Sequence, residues 1–112
     1  ANFDLACVER FFSGAAPLGG EVAAAVAARL GCVAVQGYGM TEMSPVSHGT
    51  PLGQSRKGSV GPAVASTEFR LVAGGRDVAP GEEGELWVRG PQVMQGYHNR
   101  PEATAATLTE DG

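Results

Sequence analysis

The chain has 112 residues, 43% of them apolar and 18% charged, with a net charge of −4. That is too apolar and too weakly charged for a disordered tail. The basic side chains, seven Arg and Lys57, are scattered rather than clustered, which argues against nucleic acid as a partner.

Leu5 to Phe12 reads as a buried strand ending at Ser13-Gly14. Gly20 to Leu30 reads as a helix, with Val22, Val26 and Leu30 on one face, Glu21 in the first turn and Arg29 in the last. Gly31 follows as its C-terminal cap. Cys32 to Val35 is a second short strand, and two strands joined by a helix make a parallel βαβ unit with both sheet faces covered.

The stretch 36–61 is rich in Gly, Ser, Thr and Pro and has no sustained period, so it is expected to be irregular and to serve a site. From Thr67 the pattern becomes β. Glu68 to Val72 and Glu85 to Arg89 alternate, with turn signals at Gly74-Gly75 and Pro80-Gly81 between them, which predicts an antiparallel pair with one wet face. Pro101 to Leu108 starts like a helix, Pro near its first turn and Glu102 beside it. The fold class expected is therefore α/β: a parallel βαβ portion of an open sheet followed by an antiparallel β-subdomain portion. The segments are 1–62, 63–100 and 101–112.

Cys7 and Cys32 both lie in apolar runs, and the expectation is two reduced core thiols in a cytoplasmic protein. No apolar stretch reaches the ~20 residues that span a bilayer. The N-terminal residues show no basic region followed by an apolar block, so no signal peptide is expected.

Two Gly-rich segments follow the first two strands: Ser13-Gly14-Ala15-Ala16-Pro17 and Gln36-Gly37-Tyr38-Gly39-Met40-Thr41-Glu42. Ligands of open parallel sheets sit at the carboxyl ends of strands, which places both turns side by side at that edge. Small residues let a flat ligand approach the backbone. Tyr38 offers a ring for a base, Thr41 a hydroxyl for a phosphate oxygen and Glu42 a hard oxygen for Mg²⁺.

Each residue also has a plainer reading. Tyr38 can plug a loop, Thr41 can cap a short helix with Glu42 favouring its N-terminus, and Gly37 and Gly39 can serve turn geometry alone. There is no dinucleotide or P-loop motif, so a free-standing nucleotide module lacks its phosphate loop. His48 and His98 stand far apart with no ligand-spaced Cys or carboxylate, and no Ser sits in G-x-S-x-G.

Taken together, SGAAPL (13–18), QGYGMTE (36–42) and GELWVRGPQVMQGYHNRPEAT (84–104) resemble adenylate-forming acyl-CoA synthetases, in the same order as in that family. The similarity covers roughly Val8 to Gly112 and is nearest the 4-coumarate–CoA ligase branch. The resemblance implies that Gly14, Ala15, Ala16 and Pro17 lie along adenine, that Gln36 and Gly37 belong to the same nucleotide site, and that Tyr38 stacks on the purine. It also implies that Thr41 binds phosphate, that Glu42 holds Mg²⁺ and that Gly39, Met40, Pro45 and Val46 contact the acyl group. Trp87 is implied to be core.

The implied reaction uses ATP, coenzyme A and a small carboxylic acid, aromatic or of medium chain length. The family's Lys-bearing phosphate loop, its T-G-D segment and its C-terminal domain have no counterpart in these residues. The resemblance therefore implies a segment of a larger N-terminal domain, partnered by the rest of a parent chain and without catalysis of its own in isolation.

Overall fold

The computed structural model describes residues 3–110. The end of the third predicted segment, 111–112, lies outside the described residues. The first sheet is β1 (Arg10–Ser13), β2 (Val33–Gly39) and β3 (Val46–Gly49), in that spatial order. Helix α1 (Gly20–Leu30) connects β1 to β2, which pair in parallel from Arg10 opposite Val33 to Ser13 opposite Gln36. β3 then pairs antiparallel with β2, so the sheet is mixed.

Helix α1 has the predicted bounds for identifiable reasons. Its Ala-rich interior has high helix propensity. Glu21 and Arg29 complement the dipole, and Gly31 at φ 66° closes the last turn with its N–H on the Ala27 carbonyl. The face that packs differs from the predicted one. Ala23, Val26, Ala27 and Leu30 are part-buried, whereas Val22 is exposed. The small Ala side chains let the helix sit close to β2, and Val22 falls outside that i, i+3, i+4, i+7 stripe.

Three further expectations are corrected. The first strand begins at Arg10 rather than Leu5, and the residues before it are mostly exposed. The sheet is not covered on both faces, because α1 packs on it while Phe12 and Val33 remain exposed. Cys32 is buried, but Cys7 is exposed; both are free thiols.

The stretch predicted to be irregular holds the structural centre. β2 runs on through Gly39, and β3 contains Ser47 and His48, both buried, with buried Thr50 next beyond it. Every polar group there is used. Ser47 Oγ lies 3.0 Å from His48 Nδ1, and Thr50 Oγ1 donates to the Gln36 carbonyl at 2.9 Å. The free edge of β3 is met by residues 62–64: Gly49 N–H donates to the Pro62 carbonyl and Val64 N–H to the Ser47 carbonyl.

The second sheet is antiparallel, β5 (Arg76–Asp77), β4 (Glu68–Ala73), β6 (Glu85–Arg89) in spatial order. Opposite Phe69 stands Val88, and opposite Leu71 stands Leu86, so these four share one face. The other face carries Glu68 opposite Arg89 and Arg70 opposite Trp87, with an exposed Arg70–Asp77 ion pair at 2.8 Å. Phe69 meets the His48 ring edge-on at 5.0 Å and joins the two sheets. Helix α2 (Pro101–Thr107) begins with Pro at its first position, as predicted, and ends one residue sooner.

Candidate nucleotide site

β1 ends at Ser13, opposite Gln36, while β2 runs on to Gly39, so the 14–17 turn leaves β1 beside the glycine-rich end of β2. A Cβ built at Gly14 would lie 3.9 Å from the Gly37 carbonyl oxygen. Gln36 ties them further: its Oε1 accepts the Leu18 N–H at 2.7 Å, just past the 14–17 turn. Ala15 holds a left-handed conformation, φ 68°, that turns the chain sharply between Gly14 and Pro17. Gly14, Ala15, Ala16 and Pro17 are all exposed.

Gly37 and Gly39 are strand residues and not turn residues, which changes the reason for their size. A Cβ at Gly37 would sit 2.2 Å from the Phe12 ring, and one at Gly39 would sit 1.8 Å from the Pro45 carbonyl oxygen. Their missing side chains make room for protein neighbours. Gly39 therefore backs Pro45, and Val46 pairs with it across the ladder at a register shift.

The chain turns immediately after β2. Met43 N–H donates to the Met40 carbonyl and Ser44 N–H to the Thr41 carbonyl, forming one 3-10 turn anchored by the buried Met43. The position before the turn is Met40, and no side chain caps it. Thr41 is thus not a helix cap; it is exposed within the turn.

Glu42 is held at two points. Its carbonyl accepts the Met94 N–H at 2.8 Å, and its Oε1 accepts the Tyr97 hydroxyl. The Tyr97 bond, aided by a backbone hydrogen bond of Glu42 itself, holds the carboxyl below the usual carboxylate range. The same bond, with some burial, raises the Tyr97 phenol, while Thr107 pulls it slightly back. Glu42 is therefore an ionised carboxylate at neutral pH.

Tyr38, Met40 and Glu42 line a single open cleft of about 710 Å³. Its opposite wall is Leu86 to Val88 of β6 and Ala105 to Leu108 at the end of α2. Behind Tyr38 stands His48, with ring centroids 6.4 Å apart and planes at 62°. Burial lowers the His48 pKa, so it is a neutral ring at pH 7.

The 14–17 turn lies beside Gly37 and is not a wall of that cleft, nor are Pro45 and Val46. Trp87 corrects the expectation that it is core. It is 39% exposed, lines the cleft and donates its indole N–H to Glu85 Oε2 at 2.8 Å. The strand's period of two explains this, since Glu85, Trp87 and Arg89 share the polar face while Leu86 and Val88 face inward.

Sequence reasoning gave no role to Tyr97. The signal lay in the 84–104 motif, where its Tyr follows Gly96. A Cβ on Gly96 would strike the Thr104 side chain at 2.8 Å, so this glycine lets the loop close on α2. His98 Nε2 lies 3.1 Å from Asn99 Nδ2, and no three potential metal-binding side chains gather among the described residues.

A parallel strand pair thus brings two glycine-rich segments close together, and the second carries an aromatic ring, a hydroxyl and an ionised carboxylate. Residues 1–98 match the model of the AMP-binding enzyme family, and the chain belongs to that family. It is 38% identical, over 99% of its length, to a probable 4-coumarate–CoA ligase 3 of Dictyostelium discoideum. It is 42% identical over the same share to luciferin 4-monooxygenase of Photinus pyralis.

Among solved structures, the anthranilate CoA ligase AuaEII in complex with anthranoyl-AMP superposes with a TM-score of 0.86 at 25% identity, covering 92% of this chain and 20% of that one. The chain spans 21% of the length of either curated relative. No helix among the described residues is long and apolar enough to cross a membrane.

Proposed function

We propose that this chain is the part of an ATP-dependent carboxylic acid–CoA ligase that grips the AMP half of an acyl-adenylate. The observation that carries the reading is that Tyr38 at the end of β2, and Met40 and Glu42 just past it, line one cleft, with Gly37 of the same strand beside the 14–17 turn. The structural similarity to a ligase bound to anthranoyl-AMP supports it.

In this reading Gly14, Ala15, Ala16 and Pro17 lie along adenine, with Gln36 and Gly37 setting their spacing. Tyr38 stacks on the purine, and neutral His48 behind it holds the ring without placing a charge there. The exposed Thr41 hydroxyl donates to a phosphate oxygen. Met40, Pro45 and Val46 give the acyl group an apolar side, with Gly39 allowing Pro45 to approach. An aromatic or medium-chain acid fits so small and apolar a contact set.

The reaction has two steps. A carboxylate oxygen attacks the α-phosphorus of ATP and pyrophosphate leaves, which forms the acyl-adenylate. The thiol of coenzyme A then adds to the acyl carbon and AMP leaves. The first step joins two anions, so alignment and charge neutralisation supply most of the help. Glu42 fits a divalent cation, because it is ionised, rigidly held and open to the cleft. Mg²⁺ held there supplies neutralisation of phosphate charge. The chain itself contributes the Thr41 donor, the orientation of adenine and an apolar side that limits water near the adenylate.

Residues 3–110 in isolation are better read as a scaffold than as a catalyst. The chain is a fifth of its relatives' length, and Phe12, Phe69 and Trp87 stay well exposed. The test is Glu42→Gln in the full-length protein, followed by carboxylate-dependent exchange of pyrophosphate into ATP. A fall of about tenfold or more is expected. Unchanged exchange would remove Glu42 from the mechanism.

A further inference from the structure

We infer that Tyr97 is a positioning residue for the site: its hydroxyl fixes the Glu42 carboxylate in the orientation that receives the divalent cation. This rests on the reading of Glu42 given above.

Three contacts carry the inference. The Tyr97 hydroxyl donates to Glu42 Oε1, across 55 residues of sequence. The Met94 N–H, three residues before Tyr97, donates to the Glu42 carbonyl at 2.8 Å. One loop thus holds both the main chain and the side chain of Glu42. The loop is in turn held by α2, where Tyr97 N–H donates to Thr104 Oγ1 at 2.9 Å and Gly96 leaves no room for a side chain against Thr104.

A carboxylate on an exposed turn would otherwise sample several rotamers, and a cation would have to order it at an entropic cost. A hydrogen bond to one carboxylate oxygen removes that freedom and leaves the other oxygen for the cation. Outer partners of metal ligands act in this way, and their loss costs roughly 10- to 100-fold in metal affinity or activity. Phe at position 97 would keep the ring and lose only the donor.

The test uses the full-length protein with Tyr97→Phe, Glu42→Gln and the double variant. In Tyr97→Phe, the Mg²⁺ concentration giving half-maximal pyrophosphate exchange should rise about tenfold. The KM for the carboxylic acid should stay unchanged, which a general structural defect would not leave alone. In the Glu42→Gln background, Tyr97→Phe should have no further effect.

A second readout needs no variant at position 97. With ¹³C-labelled tyrosine, the Tyr97 ring carbon bearing the hydroxyl should shift when Mg²⁺ and ATP are added to the wild type, and should not shift in Glu42→Gln. An unchanged Mg²⁺ requirement in Tyr97→Phe, additive effects in the double variant, or an unmoved Tyr97 signal in the wild type would each overturn the inference. Normal exchange by Glu42→Gln would overturn the reading of Glu42 itself. Loss in Glu42→Gln with none in Tyr97→Phe would overturn only the role of Tyr97.

Discussion

Replacing Gly39 with Ala should separate β3 from β2 and disorder the turn that carries Thr41 and Glu42. The new Cβ would lie 1.8 Å from the Pro45 carbonyl oxygen, 2.7 Å from its carbon and 2.8 Å from the Val46 Cα. All three are backbone atoms, so no rotamer change relieves the overlap. Ordinary contact starts at 3.4 Å, so the strand must retreat by about 1.6 Å.

A hydrogen bond near 2.9 Å does not survive that movement. Overpacking costs about 1–3 kcal/mol and each lost hydrogen bond about 1 kcal/mol. A total near 3 kcal/mol raises local opening by about a hundredfold. Gly14→Ala is the control, because its Cβ would meet only Gly37 oxygen at 3.9 Å and Gly14 is not among the residues of positive φ. Amide hydrogen exchange of the full-length protein, followed by mass spectrometry, should show lost protection in peptides covering 38–49 for Gly39→Ala and none for Gly14→Ala. Equal protection in both variants would mean that the β2–β3 approach is not what orders this turn.

Two other outcomes follow from the same geometry. Burial disfavours the charged form of His48, so its folded pKa lies below the ordinary 6.5. The associated stability is complete above 6.5 and is lost as pH falls through the folded value, because the unfolded chain takes up the proton first. The melting temperature should therefore fall below pH 6.5 in the wild type and fall less steeply in His48→Gln, and parallel profiles would contradict this. Cys7 is exposed and Cys32 buried, so iodoacetamide should modify Cys7 in the native protein and reach Cys32 only after denaturation; equal native rates, read by peptide mapping, would contradict the packing of α1 on β2.

Helix α1 was legible to the residue because its signals are local: an alanine-rich interior, matched end charges and a cap glycine. β6 was legible because its burial alternates with a period of two, and β4 was legible as its partner, although in β4 Phe69 and Leu71 stay exposed and only Val72 is buried. In the structure Trp87 shares the exposed face with Glu85 and Arg89, whereas the resemblance implied that it is core.

β3 was not legible because its buried positions are Ser and His, satisfied by hydrogen bonds to each other and to β2 rather than by apolar packing. Pattern reading counts apolar residues, so a polar interior strand passes for a loop. The candidate site was half visible. The two glycine-rich segments and Glu42 stood out by residue type, but Tyr97 reaches Glu42 from 55 positions away. A contact of that range leaves no trace in local spacing.

The placement of AMP is best tested by a crystal structure of the full-length protein with a non-hydrolysable acyl-adenylate analogue and Mg²⁺. Adenine is expected between the 14–17 turn and Tyr38, with phosphate at Thr41 and the cation at Glu42. An analogue bound elsewhere, with Tyr38 and Glu42 untouched, would contradict the functional reading.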